Sequence, residues 1–280
     1  MAAEGLRRAR VRRPRAPAAA GFVSHDEAFR TLRSNVLVAT SELAHPSIMI
    51  TSAVPGEGKT STCAALAESI AASGPMVVAV DLDLRRPDLH TRFGVENTRG
   101  VSDVLSGRAT VADCLVRVGL TGDAAAEAAD PDDTTDRGYP GRGALFVLPA
   151  GLPVSHPSEL LGGPRTAQVL EALCEHADFV LIDTPPVLPV ADALGIGRLA
   201  SGALLVVETG RVPLPAVQRA KAELARNQIR VLGMVLNRFE DQGSLAPYHY
   251  DYTADAAPSA STVGDLSRLF GRSRNGSRPT

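Results

Sequence analysis

Short hydrophobic runs alternate along this chain with longer segments whose apolar residues recur every three or four positions. The short runs are typical of buried parallel strands, and the longer spacing is typical of helices that bury one face. Strands are predicted at 47–50, 76–80, 145–148, 179–183, 203–208 and 231–236, and helices at 60–72, 100–107, 110–118, 157–161, 165–174 and 215–226. This alternation predicts an α/β fold with a doubly wound, mostly parallel sheet and helices on both faces.

A further amphipathic helix is predicted at 26–43, before the first strand. Its apolar residues form one stripe, made of Phe29, Leu32, Val36, Ala39 and Leu43. Glu27, Arg30 and Arg33 follow one another at intervals of three on a neighbouring face, outside that stripe. From spacing alone, these charges favour a salt-bridged, solvent-facing surface over an interface.

Three segments lack these patterns. Residues 1–24 are rich in Arg, Ala and Pro, 121–143 are acidic and rich in Pro and Gly, and 241–280 contain no long packing pattern. We therefore expect a disordered basic arm, one domain at 25–240 with an exposed acidic insert, and a flexible tail. For the arm, a solvated segment is favoured over contact with anionic lipid.

Composition narrows the classes of function. A length of 280 residues suits one large α/β domain with tails, and a formal net charge of −2 predicts no general affinity for nucleic acid. No apolar run approaches the ~20 residues of a membrane span, and the arginine-rich start lacks the apolar core of a signal peptide. Cys63, Cys114 and Cys174 have no metal-ligand spacing. These features predict a cytoplasmic protein with reduced thiols.

A phosphate-binding loop follows the first predicted strand. Segment 51–60 has the order strand, glycine turn, lysine, hydroxyl and helix, with Ala53 at the place of the motif's first glycine. Lys59 is expected to reach the β- and γ-phosphates of a nucleotide and Thr60 to hold Mg²⁺. The residues predicted to contact nucleotide are Pro55, Gly56, Glu57, Gly58, Lys59, Thr60, Ser61 and, at the end of the last strand, Asn237. An ordinary glycine-rich turn is the disfavoured alternative.

Carboxylates end two other predicted strands. Asp81 and Asp83 follow strand 76–80, and Asp183 ends strand 179–183. In a parallel sheet these ends meet at the edge that carries the phosphate-binding loop. Asp183 is predicted to bind Mg²⁺ directly or through water, as a ligand beside Thr60 and Asp81. Of Asp81 and Asp83, one is expected to face the metal and the other the acceptor or an arginine; a structural cap is the alternative for either. Such a set of groups suits phosphoryl transfer.

Three of the four tyrosines, Tyr248, Tyr250 and Tyr252, lie within five residues of the tail. Ten residues separate Arg238 from Tyr248 and can span about 33 Å, so the phenols can reach a nucleotide on their own or a neighbouring chain. A docking strip for another protein is the alternative interpretation.

With these motifs together, the chain resembles the catalytic domain of the bacterial tyrosine kinases that govern capsule and exopolysaccharide synthesis. The resemblance covers 24 to about 252. It rests on Walker A at 53–60, the family's Walker A′ at 78–85, Walker B at 180–186, the pattern Glu-x-x-Arg-x-x-Arg at 27–33 and the tyrosine cluster.

This resemblance implies a P-loop NTPase fold and a protein-tyrosine kinase that uses ATP and Mg²⁺. It implies Lys59 as the phosphate ligand, Asp81 as the base or acceptor-orienting residue, and Thr60 and Asp183 as Mg²⁺ ligands. It also implies autophosphorylation in trans on the three tail tyrosines.

In relatives, the helix pattern forms the contact that builds a ring, usually an octamer, in which each tail enters the next active site. The resemblance therefore reverses the interpretation of Glu27, Arg30 and Arg33, which become a predicted oligomer interface. Many family kinases are fused to a transmembrane module. We therefore expect a separate transmembrane polysaccharide co-polymerase adaptor that recruits this chain to the inner face of the membrane, and other tyrosine-phosphorylated proteins as further partners.

Two other functions fit parts of the pattern. A positioning ATPase of the MinD/ParA type shares the sheet and the paired acids, but such ATPases usually carry a second lysine early in the loop, and 52–55 contain none. A nucleotide-gated scaffold without useful phosphotransfer is the second alternative.

Overall fold

The structure is a computed structural model in which residues 25–120 and 143–239 are described. The predicted arm at 1–24, nearly all of the acidic insert and the tail with Tyr248, Tyr250 and Tyr252 lie outside these residues. Within them, no helix combines the length and the apolar character that crossing a bilayer requires.

Seven strands of the described chain form one sheet: β1 (Ser47–Ser52), β2 (Met76–Asp81), β3 (Val116–Val118), β4 (Ala144–Leu148), β5 (Phe179–Asp183), β6 (Gly202–Glu208) and β7 (Val231–Asn237). Their order is β3-β4-β2-β5-β1-β6-β7. Neighbouring strands are parallel except for β3, which runs antiparallel to β4.

The helices of the described ranges are α1 (His25–Ala39), α2 (Lys59–Ala71), α3 (Leu89–Phe93), α4 (Val101–Leu105), α5 (Val111–Cys114), α6 (Pro157–Leu161), α7 (Pro164–His176), α8 (Asp192–Gly197) and α9 (Leu214–Arg226). Helices α1 to α3 pack on one face of the sheet and α4 to α9 on the other. In β2, Val77 and Ala79 face the first set, whereas Val78 and Val80 face the second. Side chains alternate in this way because successive residues of a strand point to opposite faces. The predicted doubly wound, mostly parallel α/β fold is confirmed.

The predicted helix at 110–118 is wrong in its second half. Thr110 caps a single turn, because its hydroxyl accepts a hydrogen bond from the backbone N–H of Asp113. The helix ends at Cys114, and Val116–Val118 pairs with β4. The alternation of two β-branched residues around Arg117 suits a strand edge better than a helix.

Helix α1 is shorter than predicted and ends at Ala39. The hydroxyl groups of Thr40 and Ser41 donate to the carbonyl oxygens of Val36 and Val38, which closes the last turn. Two short helices, α3 and α8, were not predicted because each is too short to show a period.

Helix α1 is tied to the C-terminal end of α2. The guanidinium of Arg33 donates to the carbonyl oxygen of Ser69 at 2.9 Å, and the Ser69 hydroxyl donates to the carbonyl oxygen of Phe29 at 3.3 Å. A cation at a helix C-terminus satisfies carbonyls that lack a partner in the helix. Arg33 therefore bonds within the chain, whereas Glu27 and Arg30 remain exposed and form an ion pair of 3.4 Å.

The strand order brings the candidate chemistry to one edge. Strand β1 lies between β5 and β6, and β5 separates it from β2. Asp81 at the end of β2 is in register with Asp183 at the end of β5. The two acids and the loop after β1 consequently meet at the carboxyl ends of adjacent strands, where ligands bind in open α/β sheets.

Candidate functional site

The loop between β1 and α2 has the backbone shape of a phosphate cradle. Gly56 and Gly58 have φ angles of 87° and 92°, in the left-handed region that disfavours side chains. A Cβ atom on Gly58 would also collide with the side-chain amide of Asn237. Helix α2 begins directly at Lys59, so its unpaired N–H groups face the loop.

Glu57 holds this loop from behind. Its side chain is fully buried and accepts hydrogen bonds from the backbone N–H of Val54 at 2.7 Å and of Glu208 at 3.3 Å. The Asn237 side-chain amide donates to the backbone carbonyl of Glu57 at 2.8 Å. The loop is thereby fastened to the ends of β6 and β7. Glu57 and Asn237, both predicted to contact nucleotide, act on the loop in this structure through these bonds.

Two arginines extend this bracing. Glu208 pairs with Arg211 at 2.8 Å and with Arg238 at 2.7 Å, and these hydrogen bonds lower the pKa of its carboxyl. Arg211 also donates to the carbonyl oxygen of Gly56 at 3.1 Å. None of these three residues carries a sequence motif, and only the meeting of β6, β7 and the loop reveals their role.

Lys59 is the buried cation of the site. It is only 8% exposed, and its Nζ lies 3.6 Å from Oδ2 of Asp83. The other carboxylate oxygen of Asp83 accepts from the backbone N–H of Arg86 at 3.1 Å. A lysine held by one carboxylate is positioned to exchange it for a phosphate that enters the loop.

Asp81 is bound by the backbone. Its two oxygens accept from the N–H groups of Asp83 and Leu89, each at 3.1 Å, and the residue is fully buried. Burial raises the pKa of Asp81 well above its usual value, and the neighbouring Asp183 raises it further. These bonds connect Asp81 to the loop after β2 and fit the alternative interpretation of a structural cap; like Asp183, Asp81 does not line the cavity described below.

Asp183 is buried as Asp81 is, but it lacks the backbone hydrogen bonds that Asp81 accepts. It is fully buried, and neither of its oxygens has a hydrogen-bond partner of good geometry among the described residues. Burial raises its pKa to about 7, although Lys59 and the nearby Thr60 hydroxyl oppose this shift. A buried carboxylate without a partner is costly and is a feature that needs a physical reason.

Binding of a magnesium ion would supply such a reason. Mg²⁺ binds through one or two carboxylates, with water and phosphate oxygens as its other ligands. The described residues contain no cluster of three acidic, His or Cys side chains that could enclose a metal alone. The bare carboxylate of Asp183 and the hydroxyl of Thr60 fit this mode of binding.

A cavity of about 490 Å³ opens beside Lys59 and Thr60, and neither Asp81 nor Asp183 is part of its wall. This volume suits a small-molecule ligand. Of the predicted residues, its walls contain Pro55, Gly56, Gly58, Lys59, Thr60, Ser61 and Asp83. The remaining walls were not predicted and consist of Arg85, Arg86, Asp88, Arg92, Pro185, Pro186, Pro189, Val190 and Arg238. Several of them directly follow β2 and β5. Their position after the carboxyl end of a strand is the sequence signal that could have identified them as wall residues.

The chain matches the family model of the CobQ/CobB/MinD/ParA nucleotide binding domain over residues 48–257. It is 34% identical over 213 residues to the tyrosine-protein kinase YwqD of Bacillus subtilis, which covers 76% of this chain and 81% of that protein. It is 30% identical over 237 residues to the tyrosine-protein kinase wzc of Salmonella typhimurium. That alignment covers 82% of this chain and only 30% of the relative, so the chain spans less than a third of that protein.

Solved structures of tyrosine kinase domains and of MinD proteins are also similar to this chain. The kinase domain of the Escherichia coli tyrosine kinase ETK is 31% identical with a TM-score of 0.64, covering 82% of this chain and 81% of that chain. The septum site-determining protein MinD from Pyrococcus horikoshii, complexed with Mg-ADP, is 25% identical with a TM-score of 0.54. The MinD superposition covers 69% of this chain and 70% of that chain. The likeness to the kinase domain is thus greater than the likeness to this MinD protein.

Replacing Asp183 by Asn should stabilise the protein in the absence of nucleotide and metal. The change removes an unpartnered buried charge, and we expect the free energy of unfolding at pH 8 to rise by about 1–3 kcal/mol. Asp81→Asn is the matched control, because its two backbone bonds need two acceptor oxygens, and its gain should be at least about 1 kcal/mol smaller. Urea unfolding in EDTA measures both values.

The gain at Asp183 should depend on pH. Its carboxyl has a pKa of about 7 in the folded protein and about 4 in the unfolded chain. Between these values the folded state binds the extra proton, so the stability of the wild type falls as pH rises. The advantage of Asp183→Asn should therefore be largest above pH 7 and shrink towards pH 4. An advantage that does not change with pH would contradict this assignment.

Glu57→Gln should weaken nucleotide binding although the residue lies behind the loop. Glutamine has one acceptor oxygen for two backbone donors, and an unmade buried bond costs about 1–3 kcal/mol. We expect the Kd for Mg·ATP, measured by calorimetry, to rise about five- to fiftyfold. Glu175→Gln, at an exposed position of α7, should leave the Kd unchanged; equal values for both variants would exclude the bracing role.

Proposed function

This chain belongs to the CobQ/CobB/MinD/ParA nucleotide-binding family and, within it, to the bacterial tyrosine-protein kinases, and we propose that it transfers the γ-phosphoryl group of ATP to tail tyrosines of a second copy of itself. The single observation that supports this proposal most strongly is the juxtaposition of Lys59, Asp83 and the bare carboxylate of Asp183 at one sheet edge. These groups suit a reaction in which the protein mainly positions its substrates and neutralises charge.

Binding begins with the phosphates. The loop N–H groups and the positive end of α2 bind the β- and γ-phosphates, and Lys59 turns from Asp83 to the γ-phosphate. Asp183 and Thr60 would hold Mg²⁺, which when bound would neutralise charge on the phosphate oxygens. Since the buried carboxylate of Asp183 then gains a cation, its cost in the ligand-free protein is offset by binding.

The acceptor reaction places Asp83 next to the phenol. A tail tyrosine oxygen attacks the γ-phosphorus, the bond from phosphorus to the β,γ-bridging oxygen breaks, and ADP leaves. The phenol proton passes to Asp83, which Lys59 has released. We prefer Asp83 to Asp81 for this role because Asp83 lines the cavity, whereas Asp81 is bound by two backbone N–H groups. Asp81 then positions the loop that carries Asp83.

A ring-shaped homo-oligomer, with an octamer as one form, would bring one tail to the next active site. The exposed Glu27 and Arg30 of α1 are the proposed contact, and Arg33 supports it by holding α1 on α2. Because α2 begins at Lys59, contact at α1 lies against the helix that carries the phosphate ligand.

The biological role that we propose is control of capsule or exopolysaccharide synthesis. A transmembrane polysaccharide co-polymerase adaptor would recruit the chain to the inner face of the membrane and activate it. Other tyrosine-phosphorylated proteins would be further substrates. Phosphates added to the tail would accumulate negative charge beside the acidic site and favour release of the ring contacts.

The kinase reaction and its transfer from one copy of the chain to another can be tested with two complementary variants of the full chain. Lys59→Met removes the phosphate ligand but keeps the tyrosines, and the triple change Tyr248→Phe, Tyr250→Phe and Tyr252→Phe keeps the site but removes the acceptors. After incubation with Mg·ATP, neither variant alone should acquire phosphotyrosine in the tail, since each lacks one half of the reaction.

The two variants mixed together should modify the Lys59→Met copy, which a size tag identifies in mass-spectrometric maps. A wild type that hydrolyses ATP without tyrosine modification would favour the positioning ATPase. Modification confined to Tyr139 would contradict the choice of acceptor.

The oligomer contact can be tested by exchanging charges within one pair. The double change Glu27→Arg and Arg30→Glu preserves the pair on α1 but reverses it towards a partner, so we expect the assembly to dissociate in light scattering. Arg226 and Glu223 on α9 form a pair with the same spacing of three. The corresponding exchange there is the control and should leave the assembly intact. An assembly unaffected by the exchange on α1 would place the contact elsewhere.

A further inference from the structure

The cations that line the cavity differ in their partners. Four are matched by a carboxylate: Lys59 by Asp83, Arg85 by Asp192 at 2.7 Å, Arg92 by Asp88 at 3.1 Å and Arg238 by Glu208 at 2.7 Å. Arg86 is exposed, and its guanidinium has no carboxylate partner among the described residues. The cavity wall thus presents one guanidinium that is available to an incoming anion.

Arg86 lies close to the reacting groups. Its backbone N–H donates to the carbonyl oxygen of Asp83 at 3.2 Å and to the Asp83 carboxylate at 3.1 Å. These bonds form a tight turn from Asp83 to Arg86. The backbone of Arg86 is therefore held next to the carboxylate that pairs with Lys59.

Another part of the wall is apolar. It is formed by Pro185, Pro186, Pro189 and Val190, which follow β5. Prolines and a valine give an aromatic ring a flat apolar surface without buried polar groups to satisfy. The cavity therefore combines an apolar surface for a ring with a guanidinium that pairs with no carboxylate of the described residues, next to the phosphate-binding loop.

The tyrosine segment has the complementary chemistry in its sequence. Residues 240–255 contain Glu240, Asp241, Asp251 and Asp255 and no Lys or Arg. Asp251 lies directly between Tyr250 and Tyr252. The phenols of Tyr250 and Tyr252 consequently each have a carboxylate on the adjacent residue.

We infer that Arg86 is a specificity residue that binds the carboxylate next to the acceptor tyrosine of a second copy of the chain. A guanidinium and a carboxylate form a charge-assisted hydrogen bond, which positions the phenol as well as adding affinity. This inference rests on the proposed kinase function and adds a preference for acidic acceptors. Nucleotide phosphates already have the loop, α2 and Lys59 as partners, so Arg86 serves the acceptor.

Peptide kinetics test this preference. The enzyme is the full chain with Tyr248, Tyr250 and Tyr252 changed to Phe, so that peptides are the tyrosine acceptors at these positions. The peptides reproduce 246–256 with Asp251, with Asp251→Asn or with Asp251→Lys. We expect kcat/KM to be about five- to tenfold higher for the Asp peptide than for the Asn peptide, mainly through KM.

Arg86→Gln should reduce this ratio to near one, and Arg86→Glu should reverse the preference towards the Lys peptide. Arg92→Gln is the matched control, because Arg92 lines the same cavity but is paired with Asp88, and it should keep the wild-type ratio. If Arg86→Gln and Arg92→Gln reduce the ratio equally, the general field of the cavity is responsible and the inference is wrong.

Calorimetry with Mg·ATP on the same variants separates the remaining outcomes. A variant that binds ATP normally is folded, and its lost preference then supports the acceptor role. A rise in the Kd for ATP with an unchanged peptide ratio would assign Arg86 to the nucleotide instead. If the enzyme with unchanged Arg86 and Arg92 phosphorylates the Asp and Asn peptides equally, this inference fails while the kinase function stands. If that enzyme phosphorylates neither peptide, the proposed function itself fails.

Discussion

The fold has to stabilise several buried ionisable side chains at one edge of its sheet. Asp81, Asp83 and Asp183 lie at the ends of two adjacent strands, and Lys59 is the buried cation among them. Backbone N–H groups bind Asp81, and Lys59 pairs with Asp83. The oxygens of Asp183 accept no hydrogen bond of good geometry from the described residues, and the nearby Lys59 and Thr60 hydroxyl only partly offset its burial. The folded protein therefore retains an electrostatic cost that a cation can remove, and stability and ligand binding become linked at this point.

The loop that faces these acids is held from the other side. Glu57 connects it to β6, Asn237 connects it to β7, and Arg211 connects it to the segment that follows β6. A preformed loop loses little conformational freedom when phosphates enter it, so binding energy is not consumed in ordering the backbone. The last of these strands also leads into the tail that carries the tyrosines, so the chain leaves the sheet beside its own phosphate-binding loop.

Some surface charges connect separate segments of the chain, whereas others remain exposed, and this difference suggests where partners act. Most arginines of the cavity pair with neighbouring carboxylates, whereas Arg86 has no carboxylate partner among the described residues. On α1, Arg33 is used to fasten the helix to α2, while Glu27 and Arg30 remain at the surface. Acceptor choice and assembly would thus rely on a few exposed charges, and the buried ones would perform the chemistry.

The sequence by itself determined the strand and helix alternation, the phosphate-binding loop and the three acids, because hydrophobic period and motif spacing are local properties. It misassigned Val116–Val118 and missed α3 and α8, since these short segments show neither a hydrophobic run nor a helical period of their own. Only the tertiary structure decided that Asp81 is bound by backbone while Asp183 is bare, and that Glu208 and Arg238 support the loop. Those facts depend on which strands become neighbours and on which side chains are buried together, and residues more than a hundred positions apart in the chain meet there only once the sheet has formed.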